Sequence, residues 1–89
     1  MIHVKILSIK TPQRYSVWRA VMAAQDDLLH EHPDLEVEIT EVKDSQEIIK
    51  YTAVMYYPSL MVNDTLVCVG RFPRKDEVAG WLRLAMENN

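Results

Sequence analysis

Tyr57-Pro58-Ser59-Leu60-Met61-Val62-Asn63-Asp64-Thr65-Leu66-Val67-Cys68-Val69-Gly70 reads as a hairpin entered through a proline. Two runs of strand-forming residues, Ser59 to Val62 and Thr65 to Val69, flank Asn63-Asp64. Asparagine and aspartate tolerate the positive φ that a two-residue turn demands, so the runs pair antiparallel. Pro58 has no N–H to lose from a ladder and suits a strand's first position. Gly70 ends the second strand.

Working outward, Arg74 to Met86 has a helical period: Val78, Trp81, Leu82 and Ala85 make its apolar stripe, and Asp76 and Glu77 favour its N-terminus. Upstream, Asp44 or Ser45 caps a short helix in which Ile48, Ile49 and Tyr51 turn toward the sheet. Leu35 to Thr40 alternates strictly, a half-buried strand with Leu35, Val37 and Ile39 inward. Thr11 to His32 is helical, with Thr11 as N-cap and Pro12 at the first helical position. Its stripe is Val17, Trp18, Val21, Met22, Leu28 and Leu29, with Arg14, Arg19 and Asp26 outward, and Pro33 stops it. Ile2 to Ile9 is apolar on both faces (Ile2, Val4 and Ile6 on one, Leu7 and Ile9 on the other), as a central strand should be. The order β-α-β-α-β-β-α predicts an α/β domain spanning residues 1–89. Its sheet is four-stranded and mixed, with helices on both faces and a right-handed crossover between the first two strands.

The charge balance excludes some functions. Ten Lys and Arg against 13 Asp and Glu give −3, with no basic footprint of a nucleic-acid binder. No apolar run reaches the length of a membrane span, and the start Met1-Ile2-His3-Val4-Lys5 is not a signal peptide. One cysteine, Cys68, forms no internal disulfide, so a cytoplasmic location is expected.

The element order resembles the thioredoxin–glutaredoxin core. Tyr57 to Asp64, Val67 to Gly70 and Arg71-Phe72-Pro73-Arg74-Lys75-Asp76-Glu77-Val78 are similar to the small redox-active disulfide proteins of bacteria and archaea, which are minimal thioredoxin-like domains. The resemblance implies a cis bond before Pro58, presenting the backbone of Tyr57 to an extended peptide or thiol ligand. It also implies a Cys-Pro-x-Cys loop at the start of the first helix, where the helix N-terminus favours a thiolate. Here that loop is Thr11-Pro12-Gln13-Arg14: the proline is present and both cysteines are absent. No catalytic residue is carried over, and a dithiol oxidoreductase is not expected.

The remaining candidates have plainer readings. Cys68, on the same face as Leu66, reads as a buried small hydrophobe. His30 and His32, two apart, point to different sides of a helix end, and His3 reads as an exposed or satisfied polar residue, so no metal is expected. Lys10, Arg14, Arg71, Arg74 and Lys75 are either ordinary surface cations or, around a helix N-terminus, an anion site. The expected function is a redox-inactive module that holds a protein or peptide partner beside Pro12 and Pro58, using Thr11, Pro12, Arg14, Tyr57, Pro58 and Arg71, without a cofactor. Certain cyanobacterial clock proteins resemble this chain in a Thr-Pro at the corresponding loop, which implies that such domains can serve as interaction parts. The alternative is a cysteine-independent binder or enzyme for a small anionic thiol such as glutathione, with Thr11 on the sulfur and Arg14 on a carboxylate. A homodimer through an edge strand, Leu35 to Thr40 or Thr65 to Val69, is a third possibility.

Overall fold

The computed structural model describes residues 1–52 and 56–88. Its elements are β1 (Ile2–Leu7), α1 (Thr11–Leu29), β2 (Val37–Val42), α2 (Ser45–Ile48), β3 (Ser59–Val62), β4 (Thr65–Val69) and α3 (Lys75–Glu87). The sheet order is β2-β1-β3-β4. β1 runs parallel to β2 and antiparallel to β3, and β3 is antiparallel to β4. Asn63 and Asp64 turn the hairpin with φ of 47° and 68°, both in the left-handed region. The Asn63 backbone N–H donates to the His3 carbonyl at 2.8 Å, and the His3 N–H donates to Asn63 Oδ1 at 2.9 Å. The turn is thereby fastened to the start of the central strand.

Each face of the sheet has its own core. Ile2, Val4, Ile6, Leu60, Val62 and Cys68 meet α1 and α3 on one face. Leu7, Val42, Ile48 and Met61 form the smaller core under α2 on the other. Each fully buried Leu or Ile contributes about 1.5–3 kcal/mol, so β1, which feeds both cores, is the strand the fold depends on most. No helix among the described residues is long and apolar enough to cross a membrane.

The differences from expectation are local. β1 ends at Leu7, and Ile9 is exposed, because the buried Ser8 hydroxyl accepts the Lys10 N–H at 3.0 Å and turns the chain into α1. Lys10 is the N-cap, so α1 begins at Thr11 itself and not after it, and α1 ends at Leu29, before His32. Its buried stripe is Arg14, Val17, Val21, Ala24 and Leu28, at spacings of three and four. Trp18, expected inside, is exposed, and Arg14, expected outside, is 6% exposed. The stripe is thus rotated toward the sheet. β2 spans Val37–Val42, two residues later than expected, because Ile2 is in register with Val37 while the Leu35 N–H closes a turn onto the His32 carbonyl. α2 is a single turn capped by Asp44, so Ile48 is buried but Ile49 faces solvent. In β4 the register slips between Leu60 and Met61: Leu66 opposes Met61, and Cys68 opposes Leu60. This bulge puts Cys68 in the core under α1 and α3 while Leu66 joins the core under α2, so the two do not share a face.

Candidate functional site

Register brings three loops to one end of the sheet. Leu7 pairs with Ser59, and Ser59 with Val69. The chain leaving β1, the chain entering β3 and the chain leaving β4 therefore share that end. They carry Ser8 to Arg14, Tyr56 to Pro58 and Gly70 to Arg74 respectively. All six residues proposed from sequence lie on these loops or in the first turn of α1.

The first loop is organised by Arg14. Its Nη1 donates to the Ser8 carbonyl at 2.9 Å, Nη2 to Thr11 Oγ1 at 2.9 Å and Nε to Glu41 Oε1 at 3.2 Å. Ser8 Oγ donates to Gln13 Oε1 at 2.6 Å, closing the network. The guanidinium is consumed within the fold, tying the start of α1 to the end of β2. It holds Glu41 and the loop in place, in contrast to the outward cation expected.

The second loop is set by backbone contacts. The Tyr57–Pro58 peptide is cis. Ser59 Oγ donates to the Tyr56 carbonyl at 2.7 Å, and the Gly70 N–H donates to the Pro58 carbonyl at 3.0 Å. Gly70 has φ +71°, and a Cβ there would stand 3.0 Å from Tyr56 Cβ, so only glycine lets the second and third loops meet. Pro58 is buried and Tyr57 half-buried, against the core under α2. Thr11, Pro12, Ile9, Tyr56 and Phe72 are exposed.

In the third loop Arg71 makes a bidentate pair with Glu77, at 2.9 and 2.6 Å, while Glu77 Oε1 also accepts the Arg74 N–H at 3.0 Å. The Arg71 hydrogen bond above all, with the Arg74 N–H second, lowers the Glu77 carboxyl to about 2. A depressed carboxyl favours folding while it is ionised. Its contribution is complete above the unfolded value of about 4.5 and fades as pH falls through 4.5 toward 2. The melting-temperature difference between wild type and Glu77→Gln should therefore hold steady from pH 7 to 5 and close below pH 4.5. Its amplitude is small, because the pair faces solvent. A difference unchanged down to pH 2.5 would refute this account. Cys68 donates its thiol to the Arg71 carbonyl at 3.4 Å, and burial pushes the thiol up from 9.0.

Residues 3–83 match the thioredoxin domain family. The chain belongs to the thioredoxin domain family. No curated protein and no solved structure matches it. Its single cysteine excludes a Cys-x-x-Cys motif. Among the described residues no three His, Cys, Asp or Glu side chains are grouped to hold a metal ion.

Sequence reasoning missed Ser8, Gln13 and Glu41 as parts of this thioredoxin-like end. A signal for Glu41 was present: it continues the inward parity of Val37 and Ile39, as Arg14 continues the stripe of Val17, Val21 and Leu28. A carboxylate and a cation at inward positions of neighbouring elements are each other's natural partners.

Proposed function

We propose that this thioredoxin domain is redox-inactive and holds a protein or peptide partner at the loop end of its sheet, beside Pro12 and Pro58. The observation that carries the reading is the apolar rim there: Ile9, Tyr56 and Phe72 are each at least half exposed around a helix start that reads Thr11-Pro12-Gln13-Arg14. Aromatic and aliphatic side chains held on a rigid frame are what interface hot spots use. In this reading the partner contacts exposed Thr11 and Pro12 and the half-buried Tyr57, while buried Pro58 sets the course of its loop. Arg14 and Arg71, each engaged within the fold, hold the first and third loops in place. The lone thiol offers no second route to disulfide exchange: it is buried, and burial raises it away from the thiolate.

Two measurements test this. In a dithiothreitol-driven insulin reduction assay the domain should add nothing to the uncatalysed rate; acceleration would overturn the redox-inactive part. Affinity capture from extract of the source cells should yield a stoichiometric partner that is lost from an Ile9→Ser, Phe72→Ser variant with unchanged circular dichroism. The same proteins on both baits would remove the rim from the interface.

A further inference from the structure

One turn along α1 from Thr11 lies a cleft of about 260 Å³ lined by Tyr15, Trp18 and Glu41. Tyr15 and Trp18 are half exposed and meet edge to face, their centroids 6.1 Å apart at 71°. The contact holds the two rings against each other and leaves a large part of each exposed. Glu41 stands at the C-terminal end of β2, and its Oε1 accepts from Arg14 Nε. Among the described residues nothing donates to Oε2, and the side chain is 40% exposed. The cleft therefore offers two aromatic rings and a carboxylate oxygen. The Arg14 guanidinium that orients the carboxylate stays buried behind it, with donors spent on Ser8, Thr11 and Glu41. Aromatic faces and a carboxylate attract cations and repel anions. The Arg19 guanidinium already lies over the Tyr15 ring, 5.8 Å from its centroid, so an incoming cation shares or displaces it there and meets the Trp18 ring and Glu41 beside it.

We propose that Tyr15, Trp18 and Glu41 receive an arginine or lysine side chain of the partner polypeptide. The inference rests on the partner-binding reading above and adds the chemistry of the partner's anchor. Stem methylenes lie along the rings, and the charged head reaches Glu41 Oε2. Arginine is favoured over lysine, since its planar guanidinium can stack and bind a carboxylate at once.

The test uses the intact domain and three acetylated, amidated pentapeptides, Gly-Gly-X-Gly-Gly, with arginine, lysine or norleucine at X. The readout is the two tryptophan indole N–H signals in ¹⁵N-correlated NMR spectra, assigned by Trp18→Phe. The arginine peptide should move the Trp18 signal saturably at millimolar concentration, lysine less, norleucine not at all, and the Trp81 signal should stay in place. Tyr15→Leu, which leaves the Arg14–Glu41 pair intact, should weaken binding roughly fivefold or more. Glu41→Gln should weaken it about tenfold and abolish its salt sensitivity. Equal shifts with norleucine, or no saturable shift with any peptide, overturn the cation cleft. Should that happen while the Ile9→Ser, Phe72→Ser variant still loses its captured partner, the cleft fails and the partner reading stands. If the cleft binds arginine but the rim variant keeps its partner, it is the rim that fails.

Discussion

Replacing Arg14 with methionine lowers the melting temperature by roughly 8–16 °C, the equivalent of about 2 kcal/mol in a domain of this size. Methionine keeps the aliphatic stem beside Val17 but removes every donor. The Ser8 carbonyl and Thr11 hydroxyl then lose their partner, and Glu41 loses its counter-charge. Breaking a buried pair from one side costs about 3–5 kcal/mol. Glu41 is partly solvated, which brings the figure down. Thr11→Val, which forfeits one hydrogen bond at an exposed position, should cost no more than about 1 kcal/mol. The check is thermal unfolding followed by circular dichroism. An Arg14→Met protein melting within 2 °C of wild type would mean that the network is not a structural brace. The substitution would also weaken the proposed binding of a cationic side chain, because the same guanidinium orients the carboxylate of the aromatic cleft.

Leu60→Ala should be more damaging still, at about 3–4 kcal/mol. Leu60 is fully buried at the middle of the sheet, paired with Ile6 on one side and Cys68 on the other, beneath α1 and α3. A small domain has about 5–10 kcal/mol in all, so the variant should unfold at markedly lower urea concentration, or without a sharp transition near body temperature. Leu84→Ala on the exposed face of α3 is the control, within about 0.5 kcal/mol of wild type. Similar losses from the two would show that the core under α1 and α3 is not where the stability resides.

The bounds and the turn of the hairpin Ser59–Val62/Thr65–Val69 were readable, because turn chemistry is local: Asn63 and Asp64 tolerate the positive φ that a two-residue turn demands. The element order and the mixed sheet followed from hydrophobic period, since burial of one face is a property of the chain. The missing cysteine pair is likewise a fact of composition: with one cysteine the chain has no Cys-x-x-Cys loop. Arg14 was misjudged because charge argues for solvent, and only the far end of β2, 27 residues away, supplies the carboxylate that lets a guanidinium go inside. Trp18 was misjudged because the stripe Arg14, Val17, Val21, Ala24 and Leu28 is centred to one side of it: Trp18, one turn on from Arg14, falls on the flank of the buried face, and that exposed ring lines the cleft. Leu66 and Cys68 parted company at a bulge that no pattern of apolar residues announces, because strand register is settled between two strands. Local backbone preference and periodicity are written along the chain, whereas the pairing of buried charges and the slip of a ladder depend on contacts that exist only after the chain has folded.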